Sequence, residues 1–194
     1  MINIDKIKQL RGDTGVSIME CKKALIQADG DLKKAKEILR TLGMELADKK
    51  SSRDASEGII ATYVHFNKKI GVLLDIRCES DFVAKSKEFE ELAHEICLQI
   101  AATKPLFLRD KDIPEEFLDS ETRIYKEQFK DSGKPQKIVD EIINGKLKKY
   151  KSKNSLLSQV WIKDETLTIA DLINKHIASS GENITAKKFV RYEI

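Results

Sequence analysis

The stretch Arg77-Cys78-Glu79-Ser80-Asp81-Phe82-Val83-Ala84-Lys85 sits between a strand-like run, Lys69 to Ile76, and a helical run, Glu88 to Ala102. Large apolar side chains usually occupy the faces of such elements. Here Phe82 and Val83 stand at the joint between them, beside an acid and a hydroxyl. Two readings fit that spacing. Phe82 can plug the core between sheet and helix, with Asp81 capping a turn. Alternatively the ring is held out as a probe, and a partner supplies the burial that an exposed Phe otherwise lacks.

Upstream of the joint the hydrophobic period is two. Ile70, Val72, Leu74, Ile76 and Cys78 share one face of a strand, with Gly71, Asp75 and Arg77 on the other. A second run, Ile59–Phe66, precedes it, and Asn67-Lys68-Lys69 between them predicts a hairpin. A sheet apolar on one face needs a cover. Downstream, Phe89, Leu92, Ala93, Ile96 and Ile100 recur at helical spacing and supply one, until Lys104-Pro105 ends the helix.

The N-terminal third reads as helices. Residues 2–12 carry Ile4, Ile7 and Leu10 on one side, and Gly12-Asp13-Thr14-Gly15 predicts a break. Ser17-Ile18-Met19-Glu20 has the form of a capping box, so the next helix starts near Ile18. Cys21, Ala24, Leu25 and Ala28 form its buried stripe, while Met19 and Ile26 fall off it. Asp31 caps a third helix with Leu32, Ala35, Ile38, Leu39 and Leu42, expected to stop near Gly43, with helix resuming from Met44 to Lys50. The polar stretch that follows has no apolar periodicity. The expected division is therefore a helical domain at 1–50, a linker at 51–57 and an α+β core at 58–194. Within that core, helices are expected over 115–131, around Ile138 to Leu147, and around Ile169 to Ile177. A turn is expected at Gly133-Lys134-Pro135, an extended segment at Leu156–Lys163, and a last strand from Ile184 to Ile194. The fold class expected is α+β: a three-helix bundle, then an antiparallel sheet covered by helices.

Composition narrows the function. Thirty-five Lys and Arg against 32 Asp and Glu leave a net charge of +3, too balanced to point to a phosphate backbone. No apolar run approaches the roughly 18 residues that span a bilayer, and no secretory or transit pattern opens the chain, so a cytoplasmic protein is expected. Cys21, Cys78 and Cys97 lie far apart on apolar positions and read as buried, reduced thiols. His65, His94 and His176 are isolated and show no metal-ligand spacing, so no metal is expected. The sequence holds no Walker-A loop, GxGxxG, GxSxG or HExxH pattern, and neither a cofactor nor a covalent reaction centre is expected. The basic run Lys146–Lys153 offers one aromatic, Tyr150, too little for a base-stacking platform; cations at a helix C-terminus complement its dipole.

Several segments together resemble one family. Leu10-Arg11, Thr14-Gly15, Cys21-Lys22-Lys23-Ala24-Leu25, Gly30-Asp31 and Ala35 are similar to the N-terminal signature of bacterial translation elongation factor Ts. Cys78-Glu79-Ser80-Asp81-Phe82-Val83-Ala84-Lys85 is similar to its second signature. Ser132-Gly133-Lys134-Pro135, Gly145-Lys146-Leu147-Lys148-Lys149-Tyr150, Gly181-Glu182-Asn183-Ile184 and Phe189-Val190-Arg191-Tyr192-Glu193 follow in order, so the resemblance spans essentially the whole chain.

The resemblance implies a ubiquitin-associated-like N-terminal domain and a guanine-nucleotide exchange factor for elongation factor Tu, bound in its GDP and nucleotide-free forms. It implies that Phe82 wedges between two histidines of that partner, with Ser80, Asp81 and Val83 holding and flanking it, and that the displacement reaches the partner's phosphate loop and Mg2+ site. Lys8, Arg11, Ile18 and Met19 match N-domain contacts with the partner's nucleotide-binding domain, and His65 matches a core contact. Ser80 stands where the family usually has Thr, and Ile18 where it commonly has Met. Val160-Trp161 replaces a Pro-aromatic pair after Gln159. By the same resemblance the chain is expected to be the compact form, without the duplicated core half and coiled-coil insertion of longer members, and that form implies a homodimer. No membrane and no direct nucleic-acid contact are implied. Two rivals stand beside this reading: an adaptor binding another protein through the N-domain, and an RNA-binding protein using Lys146–Lys153.

Overall fold

Three helices open the chain: α1 (Ile4–Thr14), α2 (Ile18–Gln27) and α3 (Leu32–Lys50). The structure, a computed structural model, describes residues 3–130, 133 and 135–194. Ile2 of the first expected helix, and Ser132 and Lys134 of the Ser132–Pro135 motif, lie outside the described residues. Each helix is started by a side chain that accepts an otherwise orphaned amide. Asn3 accepts from Asp5, Ser17 from Glu20, and Asp31 from Lys33 and Lys34. The Ser17 half of the expected capping box is present; Glu20 pairs with Lys23 at 2.8 Å. Leu10, Val16, Cys21, Ala24, Leu25, Ala28, Ala35 and Leu39 close into the bundle core.

Two glycines were misleading as stop signals. α1 runs through Gly12 and ends only at Gly15, whose left-handed φ of 70° closes the helix onto the Arg11 carbonyl. α3 is one helix through Gly43, with no break before Met44. Gly43 is buried, and a Cβ there would meet the Asn174 carbonyl at 3.7 Å and the Ala178 methyl at 3.9 Å. That glycine marks where another helix packs closely, which a helix end would also explain from sequence alone.

The sheet is antiparallel, in the order β1 (Glu57–Val64), β2 (Ile70–Cys78), β5 (Thr185–Glu193). β1 starts two residues earlier than expected and stops at Val64; the turn is His65-Phe66-Asn67-Lys68, closed by the Lys68 amide on the His65 carbonyl at 2.8 Å. Gly58, at φ 149°, passes so close to β2 that a Cβ would collide with the Ile76 carbonyl. The ladder to β5 shifts register at Asp75/Ile76, where Lys187 is the extra residue. The expected inner face of β2 is the inner face: Val72, Leu74, Ile76 and Cys78 are buried.

The next elements are α4 (Asp81–Ala84), which is a single turn, and α5 (Lys87–Thr103). All five expected cover residues of α5 are buried. Its placement over the inner face follows from both flanking strands. Tyr63, opposite Val72 on β1, stacks edge-on against His94 at 5.9 Å. Arg191, opposite Val72 on β5, donates to the Ala101 carbonyl at 3.2 and 3.3 Å. α8 (Ile169–Ser180) precedes β5, and its buried Leu172, Ile173 and Ile177 agree with the expected stripe.

The chain divides into two compact units, 1–101 with 170–194, and 102–169. The second unit contains a 3-10 turn at Asp110–Asp112, the packed helices α6 (Glu115–Phe129) and α7 (Gln136–Asn154), and a small hairpin of β3 (Val160–Trp161) and β4 (Asp164–Thr168). Leu156–Lys163, expected to be extended throughout, begins with a 3-10 turn, Leu156–Ser158, and only Val160–Trp161 is strand. Lys146 of the basic run turns inward between α6 and α7, bonding Gln128 at 2.8 Å and lying 4.9 and 4.8 Å from the Tyr125 and Phe129 ring centroids. The architecture is α+β, a three-helix bundle followed by an antiparallel sheet with helical cover. All three cysteines are buried free thiols, and burial pushes Cys78 up to about 11 and Cys97 to about 12.

Candidate functional site

The joint is built from the end of β2 outward. Cys78 closes the inner stripe, and its Sγ donates to the Ser80 carbonyl at 3.2 Å. Ser80 is extended and caps α4, its hydroxyl oxygen accepting the Val83 amide at 3.3 Å. At the other end of the turn Ser86 donates its hydroxyl to the Val83 carbonyl at 2.8 Å and accepts the Phe89 amide at 3.3 Å, leading into α5. Ala84 is buried and anchors the turn; Val83 is half-buried.

Phe82 points the other way. Its side chain is 82% exposed, which rules out the core-plug reading. The turn that carries it is pinned at both ends, so the ring projects from a fixed base. Asp81 is exposed and ion-paired to Lys85 at 2.7 Å, one helical turn on. That ammonium holds the Asp81 carboxyl below the usual carboxylate range.

A residue from far along the chain completes the base. Glu182, in the loop between α8 and β5, accepts the Ser80 amide at 3.0 Å and the Ser80 hydroxyl at 2.6 Å. Beside it the Asn183 amide donates to Glu79 at 2.6 Å. Glu182 belongs to a segment singled out by resemblance, yet nothing in its spacing shows a partner 102 positions away.

The other sequence-derived positions fall in two places. Lys8, Arg11, Ile18 and Met19 are all exposed on the bundle, on α1 and the first turn of α2. Ile18 is 52% and Met19 63% exposed, large apolar side chains outside the bundle core. His65 lies at the hairpin turn, at the opposite end of β2 from Ser80, about 25–30 Å away along a strand of this length. Its Nδ1 is 2.8 Å from the Tyr63 hydroxyl, and its ring lies 4.4 Å from that of Phe66. Phe66 is 88% exposed and was not singled out from sequence, because it reads as the last residue of a strand rather than as part of a turn.

Among the described residues no group of three or more His, Cys, Asp or Glu side chains could hold a metal ion, and no helix is long and apolar enough to cross a membrane. What the structure presents is contact surface: a rigidly based exposed Phe, apolar side chains on a small bundle, and an aromatic hairpin tip. An exposed apolar set on firm supports is characteristic of a protein that binds another protein.

Comparison with known proteins is consistent with that class. Residues 16–194 match the family model described as Elongation factor TS. The chain is 48% identical over 194 residues to elongation factor Ts of Thermosipho melanesiensis, covering 100% of this chain and 99% of that protein. It is 51% identical over 193 residues to that of Thermotoga maritima, and 45% identical over 193 to that of Thermoanaerobacter pseudethanolicus, covering all of this chain and 96% and 95% of those proteins. The chain belongs to the elongation factor Ts family, and so to the translation elongation factors.

Proposed function

We propose that this chain is a guanine-nucleotide exchange factor that binds elongation factor Tu with GDP, promotes GDP release and holds the nucleotide-free form until GTP enters. The observation that carries the proposal is the exposed Phe82 ring on its pinned turn. Factor and GDP bind the same partner with negative coupling, so each weakens the other. The factor therefore has to favour a partner conformation in which the Mg2+ and phosphate contacts are broken. Inserting a Phe ring gains about 1.5–3 kcal/mol of burial that can be set against displacing partner side chains. Phe82 acts as the wedge; Ser80 and Val83 fix the turn, and Asp81 flanks the ring. No covalent step is required, so the chain works as an exchange factor rather than an enzyme with a reaction centre.

In this reading the bundle of residues 1–50 is the N-terminal partner-binding domain, joined by 51–57 to a core of 58–194. Lys8, Arg11, Ile18 and Met19 dock on the partner, and His65 makes a second contact from the core. The factor works in the cytoplasm as a homodimer. The outer face of the sheet supports the dimer. Ile60 and Val64 of β1, Leu73 of β2 and Tyr192 of β5 are all exposed, and the register puts them on one face, opposite the α5 cover. An apolar sheet face of this kind is suited to meeting its own copy about a two-fold axis.

The test is direct. Elongation factor Tu carrying fluorescently labelled GDP is mixed with the chain and excess unlabelled GDP in a stopped-flow instrument. The expected result is release accelerated in proportion to the chain's concentration, then saturating. Release at the spontaneous rate would overturn the proposal.

A further inference from the structure

The loop after α8 is where three parts of one compact unit meet. Lys50, at the end of α3, donates its Nζ to the Gly181 carbonyl. Asn183 donates Nδ2 to the Arg53 carbonyl at 2.8 Å, and the Arg53 guanidinium lies 3.5 Å from the Glu79 carboxylate that accepts the Asn183 amide. Glu182, between these two, takes both the amide and the hydroxyl of Ser80. The hydroxyl of Ser80 is thus engaged both ways: its one proton goes to Glu182, and its oxygen accepts the Val83 amide. Bonds to an ionised carboxylate are short and directional, and two to one residue fix an orientation as well as a position. Phe82 follows Ser80 by two residues on a single helical turn, so the direction in which its ring leaves the surface is set at Ser80.

We infer that Glu182 is a positioning residue for nucleotide exchange, acting through Ser80 to aim Phe82. The inference rests on the exchange-factor reading above. Its physical content is a separation of two steps. Encounter is assigned to exposed side chains of the bundle, which Glu182 does not touch; displacement of the partner's groups is assigned to the aimed ring. Loosening the base should therefore lower the maximal rate of release and leave the half-saturating concentration of factor in place.

Glu182→Gln keeps the size and one acceptor but replaces the other oxygen with an amide nitrogen that cannot accept from Ser80. Small misplacements of a working group are costly, and the expected loss in the maximal GDP-release rate is on the order of ten-fold, with the half-saturating concentration held within about two-fold. Because Glu182 acts through the ring, the same substitution placed on Phe82→Ala should slow release no further. Glu182→Gln releasing GDP at the wild-type maximal rate, or multiplying the defect of Phe82→Ala, overturns the positioning role. Phe82→Ala that is itself at the wild-type rate overturns the wedge, and the aiming role with it; a slow Phe82→Ala beside an unaffected Glu182→Gln overturns the aiming role alone. Melting curves establish that each variant folds. If Glu182→Gln does not, Ser80→Ala removes the hydroxyl contact from the other end and is read by the same comparison.

Discussion

Arg40 of α3 grips Asp171 of α8 with two donors, Nε at 3.2 Å and Nη2 at 2.7 Å from the two carboxylate oxygens. The residues are 131 positions apart, and Asp171 is buried while the guanidinium is about half exposed. Lys175 adds a bond to the Asp13 carbonyl at 2.7 Å, and Ala178 packs on the bundle core. α8 is thus the strut against which a bundle too small for an ample core of its own is held. A buried carboxylate deprived of its main cation is strongly disfavoured, and partial exposure of the Arg moderates the loss. Arg40→Ala should destabilise the protein by about 1–3 kcal/mol. Arg40→Lys, which cannot reproduce the planar fork, should fall between. Urea unfolding followed by circular dichroism checks this; an unshifted midpoint contradicts it.

Stability should also depend on His176. Burial, and then the neighbouring Lys175 ammonium, pull its pKa below the ordinary 6.5, with Glu88 and Glu91 opposing. A histidine held neutral in the native state binds fewer protons than in the unfolded chain. Its contribution is therefore present above about pH 6.5 and is lost as the pH falls through the lower folded value. The melting temperature of the wild type should drop more between about pH 7.5 and about pH 5.5 than that of His176→Gln, whose side chain does not titrate. Equal drops would remove His176 from the account.

How much of this was legible in the sequence depended on whether a signal was local. The period-two stripe of β2 and the helical stripe of α5 were readable because each element buries one face only, and burial writes its period into the residues. Ser17 and Asp31 announced their helices because caps are local chemistry. Gly12 and Gly43 misled, since a glycine inside a helix has the same local signature as one ending it, and only the approach of Asn174 explains the second. α4 has four residues, too few to show a period. At the joint, spacing alone favours the core plug for Phe82, and only the resemblance points to the exposed ring that the structure has. The contact between Glu182 and Ser80 could not be read at all, because no local pattern records a partner 102 positions distant.

The proposed homodimer makes its own prediction. Leu73 is on the central strand of the outer sheet face, with Val190 opposite it on β5. Leu73→Glu places a charge where a second copy is proposed to pack, without entering the monomer core. Buried unpaired, that charge costs several kcal/mol at each of two symmetric positions. Sedimentation equilibrium should show a dimer for the wild type and a folded monomer for the variant; a variant dimer of unchanged affinity contradicts the assignment of this face.

Met19 tests the bundle surface. It is exposed, so Met19→Glu should leave the melting temperature unchanged. If the side chain docks on elongation factor Tu, the half-saturating concentration in the exchange assay should rise by about ten-fold, the loss typical of a buried apolar contact at an interface, with the maximal rate retained. A lowered maximal rate with unchanged half-saturation would assign Met19 to displacement instead of encounter.

The most direct test of the central claim removes the ring. Phe82 is 82% exposed and contributes little to the core, so Phe82→Ala should fold and melt as the wild type does. Losing about 1.5–3 kcal/mol of burial against the partner corresponds to a maximal GDP-release rate lowered about 10- to 150-fold. Stopped-flow release of labelled GDP from elongation factor Tu measures it. A slow, folded variant is the predicted result; a folded variant that releases GDP at the wild-type rate would contradict the wedge.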